Sequence, residues 1–220
     1  MNNPLVSCVM PTWNRRSFIP AAIDCWQKQT YDNRELVILD DGEEPIEDLI
    51  PDDPRIRYKF DDVKRLTGTK RNKVITMAKG EIICHWDDDD WSAPGRIEYQ
   101  VALLQKSGKP MTGFSNLLFW DCNENKAKRY RAAVTGYVCG TSLCFLRSFW
   151  QGHPFRDRQQ ATDNDLVYPN LANIAASQEM SYMVARIHRS HTSRKNGIRE
   201  VIPNDMIPAA FWANEKLRQL

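Results

Sequence analysis

Gly80-Glu81-Ile82-Ile83-Cys84-His85-Trp86-Asp87-Asp88-Asp89-Asp90-Trp91 runs from an apolar stretch straight into four consecutive carboxylates. Its first half reads as a short buried strand. Four adjacent like charges repel one another and do not stay in a low-dielectric interior without a bound cation. Trp86 and Trp91 bracket the acids, so the run is not a solvated acidic tail. Carboxylate oxygens at the C-terminal end of a strand are the hard ligands that Mg²⁺ or Mn²⁺ prefers. The competing reading is a surface acidic turn whose Asp residues cap the segment that begins at Trp91.

Two earlier stretches repeat the pattern of an apolar run that ends in polar residues. Leu5-Val6-Ser7-Cys8-Val9-Met10 has strand length and is stopped by Pro11, before the turn Thr12-Trp13-Asn14-Arg15-Arg16. Glu35-Leu36-Val37-Ile38-Leu39 ends at Asp40-Asp41-Gly42. Continuous apolar runs, rather than strict alternation, suit parallel strands covered on both faces. Between them a helix from about Phe18 to Gln29, capped by Ser17, completes a βαβ unit, whose crossover is right-handed. In open α/β sheets ligands bind outside the carboxyl ends of the strands, so the clusters at Pro11, Asp40 and Asp87 should meet in one crevice.

The remaining segments read as follows. Ile46 to Ile50 forms a short helix, and Arg55 to Phe60 alternates as a more exposed strand. A helix from Thr69 to Lys79 ends at Gly80 as its C-cap, and one from Gly95 to Lys106 ends at Gly108. Met111 to Trp120 reads as one strand, 123–131 as a charged hairpin or loop, and Gly140 to Leu146 as another strand. Pro154 to Asp165 is a loop leading into a helix near Leu166, and Tyr182 to Arg199 holds a strand followed by a basic tail.

The chain has 220 residues, 26% of them charged and 42% apolar, which is a globular mixture with enough length for one substantial core. A net charge of +2 argues neither for nor against a polyanionic partner. Basic residues cluster at Lys126, Lys128, Arg129 and Arg131, which read as solvated surface, and again at Arg186, Arg189, Arg194, Lys195 and Arg199. None of the six cysteines forms a CxxC pair, and several lie in apolar runs as small hydrophobes. Met1-Asn2-Asn3-Pro4 lacks the basic start of a signal peptide, and no apolar run has transmembrane length, so a cytoplasmic home is expected.

Three of these stretches, in this order and at these strand ends, resemble the family 2 glycosyltransferases of the GT-A fold. They are the V-x-x-x-P-T-x-N-R turn of 6–15, Leu39-Asp40-Asp41-Gly42, and Lys79 to Ile83 leading to Asp87–Asp90 and Pro94. The resemblance covers residues 4–106 closely and 140–193 more loosely. It implies an α/β chain with a Rossmann-like, mixed and mostly parallel sheet flanked by helices. Residues 1–220 would form a single domain, with a nucleotide-sugar half at 1–106 and an acceptor half at 107–220.

The resemblance also implies a metal-dependent inverting transfer from a nucleotide-diphosphate sugar, with a UDP-sugar as donor and Mn²⁺ or Mg²⁺ as metal. Carried over by position, Pro11, Thr12, Asn14 and Arg15 line the nucleotide pocket and Asp40 meets the base edge. Arg71 or Lys70 lies near the diphosphate. Asp87 and Asp88 face the nucleotide or the metal, and Asp89 coordinates the metal. The general base corresponds to Asp163 in Thr162-Asp163-Asn164-Asp165, where Thr replaces the family's Glu; Asp165 is the reserve. His188 completes the metal shell, with His191 a second candidate.

Each assignment has a plainer counterpart. Asp163 would cap a helix, Asp40 would open the Gly42 turn, His188 would be a surface histidine, and Thr12 and Arg15 would belong to an ordinary loop. The acceptor expected is a saccharide or glycoconjugate. The alternatives are a nucleic-acid acceptor guided by the basic tail, a non-catalytic sugar-nucleotide-binding module, and nucleotidyl transfer. The lack of a Gly-rich basic phosphate loop near residue 12 counts against the last.

Overall fold

The computed structural model describes residues 3–189 and 200–213. His191 and the basic residues Arg194, Lys195 and Arg199 lie outside the described residues.

The first strand, β1 (Val6–Thr12), shows why a continuous apolar run is needed here. Val6, Cys8 and Met10 join one core cluster, while Val9 joins the cluster on the opposite face. β2 (Arg34–Asp40) divides in the same way, Leu36 and Ile38 to one side and Val37 and Leu39 to the other. A period of two on a doubly covered sheet leaves no polar side. The first face is covered by α1 (Ile19–Gln27) through Ile19, Ala22 and Trp26, and the second by α2 (Thr67–Met77) through Val74 and Ile75.

β3 (Ile56–Phe60) and β4 (Ile82–His85) extend the sheet on either side of β1 and β2. After the short β5 (Trp91–Ser92) comes α3 (Arg96–Ser107), closed by Gly108 at φ 65°. That left-handed C-cap costs glycine little, as the sequence predicts. β6 (Met111–Phe114), β9 (Cys144–Leu146) and β10 (Ile174–Ser177) complete a seven-stranded sheet of order β10-β6-β9-β4-β1-β2-β3. Only β9 runs antiparallel to its neighbours. The α/β class and the mixed, mostly parallel sheet are therefore as expected.

A second sheet is not legible in the sequence. Met111 to Trp120 is two strands rather than one: β6 stays in the first sheet, and β7 (Asn116–Asp121) leaves it after Ser115. β7 pairs with β8 (Lys126–Arg131) and with β11 (Met183–Ile187). The five-stranded order is β12-β8-β7-β11-β5, with β12 at Glu200–Ile202. In β8, Lys128 pairs with Asp121 and Glu124, and Arg129 with Glu200, while Lys126 stays exposed.

Helix boundaries bring further corrections. Ser17 does not cap α1: the preceding residue is Phe18, with no side-chain cap, and Pro20 starts the helix with its fixed φ. Nor does Pro11 stop β1. β4 parts from β1 opposite Val9, so Pro11 lies beyond that pairing and its missing N–H is tolerated. α2 ends at Ala78 in extended conformation, not at Gly80. Gly80 is needed for space, since a Cβ there would stand 2.6 Å from the Leu5 carbonyl oxygen and 2.7 Å from the Ser7 amide. Gly80→Ala is therefore expected to cost about 1–3 kcal/mol of stability through backbone displacement, read as a lowered melting temperature.

α4 (Arg147–Gly152), α5 (Thr162–Val167) and α6 (Ala209–Trp212) are short. α5 begins earlier than the loop reading of 154–165 allowed, and it follows Ala161 at φ 60°.

Candidate active site

The register of the first sheet places the three polar strand ends together. Thr12 stands opposite Asp40, and Val9 opposite His85, so the acidic run leaves the sheet beside the Thr12–Arg15 turn. Thr12 donates its hydroxyl to Asp88 Oδ2 at 2.6 Å. Arg15 Nη1 bonds Asp88 Oδ1 at 2.8 Å and also pairs with Asp89 Oδ2. A guanidinium thus stands where four carboxylates would otherwise repel one another. Thr12 and Arg15 do more than an ordinary loop requires.

The second sheet supplies the opposite wall. Arg186 of β11 is 1% exposed; its Nε donates to the Asp89 carbonyl at 2.7 Å and its amide to Asp90 Oδ1 at 3.0 Å. It belongs to the basic cluster whose plain reading was solvated surface, and it is a core residue of the site. His188 Nε2 lies 2.9 Å from Asp89 Oδ2, so the surface reading of that histidine also fails. Phe18 joins the two walls: its ring centroid is 4.6 Å from that of His188, and the Arg186 guanidinium sits 4.8 Å above it. Phe18 was legible only as an apolar position of a helix.

Among the described residues, Asp87, Asp89 and Asp90 present oxygens that all lie within 4.8 Å of one another. That donor set of hard oxygens, with an imidazole nitrogen on Asp89, fits a divalent cation of the Mg²⁺ or Mn²⁺ kind. Asp88 faces the other way, toward Thr12 and Arg15. Burial pushes its carboxyl up to about 7, against the pull of Arg15 and the Thr12 bond, with Asp89 adding to the rise. Burial pulls the Arg15 pKa down, but Asp88 and Asp89 outweigh it and the net shift is upward.

The folded state therefore favours the protonated form of Asp88. Its contribution to stability is complete below the ordinary value of 3.8 and is lost as pH rises through about 7. Melting curves in EDTA between pH 4 and pH 8 should show this decline in the unaltered protein, and Asp88→Asn should flatten it.

Asp40 and Asn14 shape the neighbouring turns. Asp40 Oδ1 accepts the Gly42 amide at 2.9 Å and Oδ2 accepts the Tyr58 hydroxyl at 3.1 Å, as its plainer reading requires. Asn14, at φ 51°, accepts the Glu43 amide at 2.8 Å and ties the two turns together. Lys70 is turned inward to Asp41 and to the Thr12 carbonyl, the latter at 3.0 Å. Outside these turns lies a groove of about 400 Å³ lined by Trp13, Asp41, Gly42, Glu43, Phe60, Asp62 and Lys64. Lys64 Nζ stands 3.4 Å from the ring centroid of the exposed Trp13.

Asp163 reaches the same crevice from α5. It does not cap a helix; its carboxylate pairs with Arg71 of α2. Asp165 points elsewhere and pairs with Arg158 at 2.9 Å. The turn 140–142 connects Asp163 to the acidic cluster. Thr141 donates its hydroxyl to Asp90, while Gly140 lies so close under Asp163 that a Cβ there would come within 2.1 Å of Asp163 Cγ. Arg96 of α3 fastens this turn to the strand end, donating to the His85 carbonyl at 2.8 Å and the Thr141 carbonyl at 3.2 Å. Arg96, Gly140 and Thr141 carry no local sequence signal, because their role appears only when distant segments meet.

The glycosyl transferase family 2 model matches residues 7–178, a span that includes every one of these residues except Arg186 and His188. The chain belongs to glycosyl transferase family 2. The putative colanic acid biosynthesis glycosyl transferase WcaA of Escherichia coli K12 is 39% identical over 110 residues, 48% of this chain and 39% of that protein. The E. coli UDP-Glc:alpha-D-GlcNAc-diphosphoundecaprenol beta-1,3-glucosyltransferase WfgD is 31% identical over 110 residues, 49% of this chain and 44% of its own length. This chain thus spans about half or less of these family 2 relatives.

Two solved structures show the fold. S. aureus TarS in complex with UDP-GlcNAc aligns with TM-score 0.68 at 14% identity, over 86% of this chain and 60% of its own. The mannosyltransferase PcManGT from Pyrobaculum calidifontis, in complex with GDP-Man and Mn²⁺, aligns with TM-score 0.65 at 15% identity, over 90% and 59%. The GT-A fold expected from the sequence is the fold of this family 2 chain.

Proposed function

We propose that this family 2 chain transfers a sugar, with inversion, from a nucleotide-diphosphate donor to a hydroxyl of a saccharide or glycoconjugate. The observation that carries the reading is the Gly140-Thr141 turn: one residue lies against the Asp163 carboxylate, and the next bonds Asp90 of the acidic cluster. A base and a diphosphate-metal site are thereby put side by side.

Asp87, Asp89 and Asp90, with His188 beside Asp89, would hold Mn²⁺ or Mg²⁺, which when bound supplies charge stabilisation for the departing diphosphate. Thr12 and Arg15 orient the diphosphate side, Arg15 adding a cation that has two carboxylates to leave. The groove at Trp13, Phe60 and Lys64 takes the nucleobase, with Asp40, Pro11 and Asn14 shaping its turns. Asp163 takes the proton of the acceptor hydroxyl as that oxygen attacks the anomeric carbon. A single carboxylate used as base, with no covalent sugar intermediate, gives inversion.

UDP is the nucleotide favoured, because WfgD is named for a UDP-Glc donor and TarS was solved with UDP-GlcNAc. The acceptor class follows WfgD as well, named for a diphosphoundecaprenol-linked sugar. Residues 1–106 would hold the donor and residues 107–220 the acceptor. Among the described residues, no helix is long and apolar enough to cross a membrane. Calorimetric titration with UDP tests the donor side: binding with Mn²⁺ that weakens at least about tenfold in EDTA supports it. Absence of UDP binding in both conditions would contradict it.

A further inference from the structure

Arg71 was assigned to the diphosphate by position, yet its guanidinium is committed elsewhere. It pairs with Asp163, and Nη1 also donates to the Thr162 hydroxyl at 2.9 Å. It is 8% exposed and lies 5.5 Å from the ring centroid of Phe155. Its neighbour Asn72 clamps the same segment: Nδ2 donates to the Phe155 carbonyl at 2.8 Å, and Oδ1 accepts the Phe155 amide at 3.0 Å. One turn earlier, the Gly68 amide donates to the Arg158 carbonyl at 3.0 Å, and Thr69 bonds Asp157. The N-terminal half of α2 is thus a rail on which the 155–163 segment is seated.

The opposite side of the Asp163 carboxylate is closed by backbone. Gly140 leaves no room for a side chain, and its carbonyl is fixed by His85 Nδ1 at 2.9 Å. His85 itself is buried against Phe145 and Phe155, at ring-centroid distances of 5.7 and 5.6 Å. The carboxylate is therefore held between a cation on one side and an immobilised glycine on the other. Thr162 contributes to the same clamp where the family has Glu.

We infer that Arg71 and Gly140 are positioning residues that set the Asp163 carboxylate for proton abstraction, and that Arg71 does not bind the donor diphosphate. The inference rests on Asp163 being the base. A carboxylate displaced by about 1 Å from its productive place loses about a hundredfold in rate while donor binding is untouched. A diphosphate ligand behaves in the opposite way, since its removal weakens the nucleotide complex itself.

The test is a split between kcat and nucleotide affinity in the whole chain. Sugar transfer is measured at saturating donor, and UDP affinity is measured by calorimetry with Mn²⁺, for Arg71→Ala, Arg71→Lys and Gly140→Ala. Expected for Arg71→Ala and Gly140→Ala are kcat values lower by about a hundredfold, with UDP affinity within about threefold of the unaltered protein. Arg71→Lys, which keeps the cation but not the fork, should recover part of the loss. If Arg71→Ala does not fold, Arg71→Lys and Gly140→Ala read the same split.

UDP affinity that falls with kcat in the Arg71 variants, or kcat that stays unchanged in Gly140→Ala, would overturn the inference. Asp163→Asn, run alongside, separates the two levels. If Asp163→Asn itself retains full turnover, the base assignment fails. If it is inactive while Arg71 and Gly140 variants are fully active, only the positioning inference fails.

Discussion

Asp163→Asn should lower sugar transfer by about a thousandfold, while UDP still binds in the presence of Mn²⁺. General-base assistance contributes about 10²- to 10⁴-fold, and an amide of the same shape cannot accept the acceptor's proton. Asn keeps an oxygen for Arg71, so α5 and its seating on α2 survive the change. Loss of kcat without loss of nucleotide affinity is the signature of an interaction made only during the reaction. Asp165→Asn is the control: its carboxylate pairs with Arg158 away from Arg71, and turnover should be retained. Loss of activity in Asp165→Asn with activity kept in Asp163→Asn would transfer the base role to the reserve residue.

The second large effect is expected on the donor side. Asp89 is 6% exposed and shared between Arg15 and His188, and its oxygen is one of the three clustered acids. Asp89→Ala removes a hard ligand and leaves Arg15 with Asp88 alone. Transfer should fall by about a hundredfold or more, and Mn²⁺ should no longer strengthen UDP binding. Calorimetry with and without the metal measures both quantities. An Asp89→Ala protein whose UDP affinity still rises with Mn²⁺ would move the cation to another group.

What the sequence shows and what it hides follow from the range of the interactions involved. β1, β2 and β4 are legible because a doubly covered strand must be apolar at every position, which is a local property. Gly108 is legible because a left-handed C-cap has a local residue preference. The carboxylate run is legible because like charges in a row demand an explanation on the spot. Asp89 with His188 follows from family pattern; their contact spans 99 residues of chain.

Other features have no local trace. The Arg71–Asp163 pair joins residues 92 apart, and nothing around Arg71 distinguishes a cation for a phosphate from one for a carboxylate. Arg186 reads as solvated because basic residues surround it in sequence, yet β11 turns it into the acid cluster. The break between β6 and β7 carries no Pro or paired turn residues, so two strands of different sheets look like one. The Asp40 and Asn14 side chains serve the turns that their residue types favour, and that part was weighed from sequence alone.

Release of UDP from a panel of nucleotide sugars, measured in Mn²⁺ and again in EDTA, tests the central claim most directly. It needs no acceptor, since water can take the place of the acceptor hydroxyl. The site described here predicts slow, metal-dependent UDP release from one donor, lost in EDTA and lost in Asp89→Ala. A protein that binds none of the panel and releases no UDP with Mn²⁺ would contradict the assignment of the acidic cluster and the groove to a UDP-sugar.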